Sequence, residues 1–279
     1  MLPIIKSALK EDIGKGDITT GALIDKRDSS GAAIVTNGTC VVCGLEVAEW
    51  IMAEVDSSAR FKPDCKDAVF AGAGKEIAFI EGRTTSILRA ERTMLNFLSF
   101  LSGIATTTRQ FVDKAKPYGV KIMDTRKTLP LLRYLEKYAV SAGGGSNHRM
   151  GLYDRILIKD NHISVQRNKK IAIQDIVERC RKKAAKGAVI EVEVSSIAEF
   201  SDALLGKPDI VMLDNMRAGD VLACVEIRRF SKQKPLLEVS GGITIGNVEE
   251  YARTKVDMIS IGSLTISVKS IDMSLELVS

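Results

Sequence analysis

The chain has 279 residues, of which 45% are hydrophobic and 27% are charged. This composition is typical of a globular protein, and the length allows one large domain or two smaller ones. No apolar run reaches the roughly 18 residues of a membrane-spanning helix, and the N-terminus turns polar too early for a signal peptide. We therefore expect a soluble, cytoplasmic protein with no membrane partner.

The net charge of +5 fits either a nucleic-acid-binding protein or a pocket for a small anion. The basic clusters RNKK (167–170) and RKK (181–183) are short and separated, as on solvated helix faces. Nucleic-acid binding needs a continuous basic face, so we expect no nucleic-acid partner.

The five cysteines are scattered and odd in number, which argues against a disulfide framework. Cys40 and Cys43 form a C-x-x-C pair, but the surrounding TCVVCGLEVA predicts a strand, in which positions i and i+3 face opposite sides. We therefore favour two small strand hydrophobes over a metal or redox site.

The first hundred residues predict an α+β arrangement, with strand-like runs AAIVTNGTCVVCG and KEIAFIEG and a helix at LEVAEWIMAEV. A longer helix is predicted within residues 91–119, where Leu95, Leu98 and Leu101 recur at helical spacing. Gly103 is a point where that helix can be interrupted, and Pro117 and Gly119 mark its end.

After residue 119 short apolar runs alternate with helical segments, which predicts parallel strands joined by crossover helices. The runs are VKIM (120–123), ILI (156–158), VIEVEV (189–194), IVML (210–213), LLEV (236–239) and MISI (258–261). Six such strands fit either an α/β barrel or a doubly wound sheet.

Polar residues follow every one of these strands. In an α/β barrel the carboxyl ends converge on one face, where active sites lie, so we predict a site at that mouth. Glycines after the last two strands suit a phosphate group, because they let backbone N–H groups approach an anion. These residues are Ser240, Gly241, Gly242, Gly262 and Ser263.

Basic residues gather around the earlier strand ends and predict a polyanionic ligand. They are Arg126, Lys127, His148, Arg149 and Lys159. Glu193 and Asp214 follow neighbouring strands and could bind sugar hydroxyls, Mg²⁺ or a developing cation, or could simply form strand-end salt bridges. His162 fits both a structural role and a ligand contact.

The segment DTRKTLPLLRYLEKYAVSAGGGSNHRMGLYDRILIKDNHI, residues 124–163, resembles the signature of the quinolinate phosphoribosyltransferase family. Similar matches run along the chain at EDIGKGDITT, ERTMLNFLSFLSGIATTT, EVEV, VMLDNM, EVSGGI and ISIGSLT. The resemblance implies that quinolinate and phosphoribosyl pyrophosphate give nicotinate mononucleotide, pyrophosphate and CO₂, with Mg²⁺ as cofactor.

The resemblance also implies a fold and an assembly. An N-terminal α/β sandwich (residues 1–100) precedes an open, seven-stranded α/β barrel (101–266), and the tail 267–279 returns to the first domain. The implied homodimer is head-to-tail with a shared active site, and dimers and hexamers both remain open.

Residue roles are carried over from the resemblance as follows. Arg126, His148, Arg149 and Lys159 resemble the quinolinate-binding cations, with Lys127 beside them, and Arg92 resembles an arginine donated by the partner subunit. Glu193 and Asp214 resemble the acids near the ribose and the metal. The glycine-rich turns resemble the 5′-phosphate cradle, and Lys127 or Lys159 is expected to assist decarboxylation.

One position departs from the family pattern. The family commonly has His after GSLT, whereas this chain has Ile266. Two other functions stay open at this point: a phosphoribosyltransferase for another acid such as nicotinate, and a non-catalytic module that binds phosphorylated metabolites.

Overall fold

The computed structural model describes residues 1–278, which form twelve strands, eleven α-helices and one 3₁₀ turn. Residues 1–115 form α1 (Leu2–Ile13), α2 (Ile18–Leu23), β1 (Ser29–Thr36), β2 (Cys40–Val41), α3 (Leu45–Val55), β3 (Arg60–Pro63), β4 (Phe70–Ala71), β5 (Lys75–Arg83) and α4 (Thr84–Ala115). A 3₁₀ turn (Lys116–Tyr118) precedes β6 (Lys121–Met123), α5 (Arg133–Ala142), β7 (Ile156–Ile158), α6 (Asp160–Arg167), α7 (Ile173–Lys183), β8 (Ile190–Val194), α8 (Ile197–Leu205), β9 (Ile210–Asp214), α9 (Ala218–Phe230), β10 (Leu236–Ser240), α10 (Val248–Arg253), β11 (Met258–Ser260), α11 (Ser263–Ile266) and β12 (Met273–Val278).

The chain divides into two compact units. The first comprises residues 1–109, 129–144 and the C-terminal residues from 267 onward, and the second comprises residues 110–128 and 145–266. The sequence-based division placed residues 129–144 with the barrel, whereas α5 packs within the first unit. There the Tyr138 hydroxyl donates to Asp67 at 2.7 Å. The exact domain edges proposed from the sequence stay a prediction.

The first unit is built on an antiparallel sheet in the order β12-β1-β5-β3. The C-terminal strand β12 pairs with β1 over Gly31–Thr36. Helix α3 begins at Gly44, where the Asp67 carboxylate accepts the backbone N–H groups of Gly44 and Leu45. One side chain therefore satisfies two of the helix N-terminal donors that have no partner within the helix.

Helix α4 is continuous over 32 residues, so the prediction that Gly103 interrupts it is wrong. A Cβ at Gly103 would lie 2.5 Å from the backbone oxygen of Lys269. The glycine is therefore needed for close backbone packing, not for a break. Among residues 1–278, no helix combines the length and the apolar character that crossing a bilayer requires.

The second unit contains a parallel sheet in the order β6-β11-β10-β9-β8-β7. Within this sheet the first strand along the chain, β6, pairs with the last, β11, as the strand order of an α/β barrel requires. All six strands predicted from the apolar runs are present, and the α/β fold class with a separate antiparallel sheet is confirmed.

The parallel sheet has six strands rather than the seven that the resemblance implies. On the outer side of β6, Ser146 forms a single parallel bridge to Met123. Ser146 N donates to Ile122 O at 2.8 Å, and Asp124 N donates to Ser146 O at 3.1 Å. The pairing ends there because the backbone N–H of His148 turns to the Asp124 side chain at 2.8 Å.

Alternation along the strands separates two faces of the parallel sheet. Val192, Val211, Leu237 and Ile259 are fully buried on one face. On the other face an apolar layer of Met123, Ile210 and Met258 fills one end of the barrel interior. The polar residues of the same face lie toward the carboxyl ends of the strands.

We predict that Gly103→Ala lowers the free energy of unfolding by about 1–3 kcal/mol, because the added methyl group overlaps a backbone oxygen. Gly21→Ala is the matched control, since it lies in α2 of the same unit with no atom within 4 Å of the added Cβ. We expect a change of less than about 1 kcal/mol there. Denaturant unfolding of both variants measures the difference, and equal effects would contradict the packing role of Gly103.

Candidate active site

A single pocket of about 670 Å³ lies at the carboxyl ends of the parallel strands. Every strand of the sheet contributes either its last residues or the turn that follows it. This convergence is what parallel strands in a barrel impose, because all their carboxyl ends point to the same rim. The polar residues that the sequence placed at six strand ends therefore share one cavity.

All the predicted site residues except Arg92 line this pocket: Arg126, Lys127, His148, Arg149, Lys159, Glu193, Asp214, Ser240, Gly241, Gly242, Gly262 and Ser263. Arg92 lies on the exposed side of α4 in the first unit. Ile266 also lines the pocket and supplies a hydrocarbon surface where the family commonly has an imidazole. Leu157, Met212, Ile243 and Ile261 give the cavity further apolar walls.

The cationic wall of the pocket is crowded. Arg149 is buried, and burial first, then the positive charge of Arg126, lowers its pKa. Its Nη1 donates to the backbone oxygen of Arg155 at 3.2 Å. Cations held this close together repel one another, so an anionic ligand is favoured here.

His148 belongs to this wall, and its ring is held by contacts at both nitrogens. Its Nδ1 accepts the backbone N–H of Arg149 at 2.8 Å. The ring proton therefore lies on Nε2, which faces Glu191 at 3.2 Å and Glu238 at 3.4 Å. The backbone contact thus fixes the tautomer.

The acids at the mouth are already engaged by neighbouring donors. Lys159 Nζ lies 3.0 Å from Glu193 Oε2, and Asn215 Nδ2 donates to Asp214 Oδ2 at 2.6 Å. The sequence analysis did not assign Asn215 to the site, although it directly follows the β9 strand. Its φ of 54° lies in the left-handed region, which marks a constrained position.

The glycine-rich turn after β10 has a backbone conformation and close contacts that favour glycine. Gly241 has a φ of 91°, and a Cβ there would lie 2.2 Å from Asn215 Oδ1. Gly242 has a φ of 64° with open space around it. The turn therefore presents bare backbone to the pocket, as an anion-binding loop requires.

Two glutamates form the floor beneath the mouth, and the sequence analysis did not assign either to the site. Glu191 and Glu238 are fully buried on β8 and β10, and Glu238 lines the pocket. Burial, reinforced by the charge of Glu191, raises the pKa of Glu238 well above its ordinary range. Burial opposes ionisation of Glu191 as well, but His148 and Arg155 outweigh it and lower its pKa.

The remaining sequence candidates have structural roles. His162 Nδ1 accepts the backbone N–H of Lys159 at 2.9 Å at the start of α6, and His162 does not line the pocket. Cys40 and Cys43 are buried and unpaired, and burial raises the pKa of the Cys40 thiol to about 11. They belong to none of the groups of three or more metal-ligating side chains within residues 1–278.

Comparison with known proteins agrees with this geometry. The profile of the quinolinate phosphoribosyl transferase N-terminal domain matches residues 17–102, and that of the C-terminal domain matches residues 104–276. A probable nicotinate-nucleotide pyrophosphorylase [carboxylating] of Methanocaldococcus jannaschii is 42% identical over 285 residues, covering 99% of this chain and 97% of that protein.

Solved structures show the same fold over the whole chain. The nicotinate-nucleotide pyrophosphorylase from Francisella tularensis matches with a TM-score of 0.92 and 39% identity, covering 99% of this chain and 95% of that one. The enzyme of the same name from Ehrlichia chaffeensis matches with a TM-score of 0.92 and 38% identity, covering 100% and 98%. The chain belongs to the quinolinate phosphoribosyltransferase family.

Proposed function

We propose that this protein is a quinolinate phosphoribosyltransferase of NAD biosynthesis. It converts quinolinate and phosphoribosyl pyrophosphate into nicotinate mononucleotide, pyrophosphate and CO₂. The observation that carries the proposal is the single strand-end pocket, which combines a cationic wall, two acids at the mouth and a glycine-rich turn. Each of these parts suits one part of the two substrates.

Quinolinate binds at the cationic wall in this proposal. Arg126, Arg149 and Lys159 pair with its two carboxylates, and His148 contributes to the same wall. Arginine is well suited to this work because its planar guanidinium makes two parallel hydrogen bonds to a carboxylate. Nicotinate has only one carboxylate, so it would leave a buried cation without a partner, which lowers its affinity.

Phosphoribosyl pyrophosphate binds across the rest of the mouth. The backbone of Ser240, Gly241 and Gly242, with Gly262 and Ser263 at the next strand end, surrounds the 5′-phosphate. Glu193 and Asp214 accept hydrogen bonds from the ribose hydroxyls. Ile266 offers no donor there, so backbone N–H groups bind this phosphate without an imidazole.

The reaction follows from this placement. The pyridine nitrogen forms a bond to ribose C1 while the bond from C1 to the pyrophosphate oxygen breaks, and that electron pair leaves with pyrophosphate. Glu193 and Asp214 stabilise the positive charge that develops on the ribose. The cationic ring then draws the electron pair of the C2–carboxylate bond as CO₂ leaves, and a proton completes C2. Lys127 and Lys159 are both placed to stabilise that carbanion.

The carboxylates at the mouth fit a hard divalent cation. Mg²⁺ in such sites is bound by one or two carboxylates together with substrate phosphates, and Glu193 and Asp214 are the residues that would hold it. The ion would neutralise charge on the leaving pyrophosphate. Because Lys159 contacts Glu193 and Asn215 contacts Asp214, the protein alone offers only part of the coordination shell.

Arg92 completes the proposed site from a second subunit. Its side chain is exposed on α4 and does not line the pocket of its own chain. A head-to-tail homodimer would bring this guanidinium to the pocket of the partner. Further association of dimers into hexamers is compatible with the same shared site.

We also place the protein in the cytoplasm. All five cysteines are unpaired, as expected in a reducing compartment. Burial raises the pKa of the Cys224 thiol to about 12, so this residue is not a reactive thiolate.

The function is tested by measuring pyrophosphate and CO₂ release from purified protein with phosphoribosyl pyrophosphate, Mg²⁺ and either quinolinate or nicotinate. We expect both products with quinolinate and neither with nicotinate. Turnover with nicotinate would overturn the substrate assignment, and turnover with neither acid would overturn the proposed activity.

Arg149→Ala should raise the KM for quinolinate by at least about 30-fold, because a buried cation that pairs with a carboxylate is lost. The KM for phosphoribosyl pyrophosphate should change little. Arg217→Ala is the control, since this arginine is exposed and lies outside the pocket. An unchanged quinolinate KM in Arg149→Ala would remove this residue from the site.

Gly241→Ala should raise the KM for phosphoribosyl pyrophosphate by about tenfold or more, because the methyl group strains the turn and overlaps Asn215. Gly246→Ala is the matched control, as its Cβ would meet only Thr244 at an ordinary 3.7 Å. Steady-state kinetics of the two variants measure the difference. A Gly241→Ala enzyme with normal phosphoribosyl pyrophosphate kinetics would argue against the cradle.

With quinolinate near the wild-type KM, Arg92→Ala and Arg149→Ala should each be nearly inactive alone but should recover activity when unfolded together and refolded as a mixture. Random pairing gives half heterodimers with one intact site each, so we expect about a quarter of wild-type activity. The activity of each variant refolded alone is the control. Absence of recovery in the mixture would contradict a site shared between subunits.

A further inference from the structure

A buried cluster of charged and polar side chains lies beneath the proposed quinolinate wall. It consists of Glu191 on β8, Glu238 on β10, His148, Arg155 just before β7, and Ser260 on β11. Glu191 and Arg155 do not line the pocket, so neither is placed to touch a ligand there. The mechanism above uses neither of them.

The cluster brings two buried carboxyl groups together around the guanidinium of Arg155. The Nδ1 of His148 accepts a backbone N–H, so its Nε2 faces the two glutamates. A buried carboxyl group needs a charged or hydrogen-bonding partner, so the contacts of each glutamate decide which side chains it can hold.

The two carboxyl groups have different partners. Glu191 Oε2 lies 3.2 Å from Arg155 Nη1 and 3.2 Å from His148 Nε2. Glu238 Oε1 accepts from Ser260 and lies 3.4 Å from His148 Nε2, and Glu238 Oε2 has no hydrogen-bond partner within residues 1–278. Glu191 is therefore the glutamate that forms the ion pair with Arg155.

Glu191 contacts the side chains that support the cationic wall. Its carboxylate contacts Nε2 of the His148 ring and accepts a hydrogen bond from the Arg155 guanidinium. The backbone oxygen of Arg155 in turn accepts from Arg149 Nη1 at 3.2 Å. Two members of the wall, His148 and Arg149, thus depend on contacts that begin at Glu191.

We infer that Glu191 is a positioning residue for substrate selection: it holds His148 and Arg155, and through them Arg149, in the arrangement that binds the dicarboxylate. This inference rests on the proposed function of the pocket. Glu238 has a different part, since it lines the pocket itself and accepts a hydrogen bond from Ser260.

A metal ion is the alternative occupant of this cluster. His148, Glu191 and Glu238 offer three ligand atoms within 4.8 Å of one another. However, His148 Nε2 carries the ring proton and has no lone pair to offer, and Arg155 Nη1 already lies 3.2 Å from Glu191 and 3.5 Å from Nε2. The guanidinium therefore supplies the positive charge that a metal would bring.

The test compares two isosteric changes at glutamates that each pair with an arginine. An amide has one acceptor oxygen, so Glu191→Gln cannot accept from both Arg155 and His148. Glu249→Gln is the matched control, because Glu249 pairs with Arg253 and lies outside the pocket. We expect Glu191→Gln to raise the quinolinate KM by about 10- to 100-fold, with the phosphoribosyl pyrophosphate KM within about threefold of wild type. Glu249→Gln should leave both KM values within about threefold.

Two further measurements keep the inference open to refutation if Glu191→Gln does not fold. Arg155→Met removes the other half of the ion pair at a partly exposed side chain and should raise the quinolinate KM in the same way, whereas Arg155→Lys should restore most of the affinity.

The chain has only two histidines, so nitrogen-15 histidine spectra resolve the His148 ring, with His162→Gln as the assignment variant. The His148 ring should be the Nε2–H tautomer in the wild type and should be perturbed in Glu191→Gln and Arg155→Met.

Normal quinolinate KM values in both Glu191→Gln and Arg155→Met would overturn the inference, as would equal losses in Glu191→Gln and Glu249→Gln. A wild-type protein that does not turn over quinolinate would instead overturn the proposed function. In that case the histidine spectra still test the contacts of Glu191, because they need no substrate.

Discussion

The parallel register of the six strands in the second unit is the constraint on which the pocket depends. Backbone hydrogen bonds align β6 through β11 so that their carboxyl ends share one rim. Residues that are far apart in the chain, such as Arg126, Lys159 and Gly262, therefore line the same cavity. The same alignment places Glu191 and Glu238 in the interior below that rim. The cationic wall, the glycine turn and the buried floor all follow from one sheet.

Electrostatic balance then decides what the cavity can bind. Arg126 and Arg149 lie close enough for the charge of one to lower the pKa of the other. Inside the barrel, Glu191 pairs with Arg155, and burial together with the charge of Glu191 raises the pKa of Glu238. The carboxyl groups of the floor thus lie beneath the cationic wall, and one of them is paired with an arginine of its own. A small dianion is the ligand that such a wall stabilises most.

Much of this arrangement is predictable from the sequence, because it depends on local patterns. Alternating apolar runs gave the six parallel strands, and the polar residues after each run gave nearly the whole lining of the pocket. Properties that depend on three-dimensional contacts were not predictable. The glutamate of LLEV could face either side of a strand. The orientation of the His148 ring depends on a backbone contact from Arg149, and Gly103 is explained only by the close approach of Lys269. Arg92 was identified by resemblance alone.

The central claim is that the pocket distinguishes two carboxylates from one. Isothermal titration calorimetry of the wild-type protein with quinolinate and with nicotinate, each without phosphoribosyl pyrophosphate, measures this directly. The account predicts that quinolinate binds at least about 30-fold more tightly, because loss of one carboxylate leaves a buried cation unpaired. Equal affinities for the two acids would contradict it.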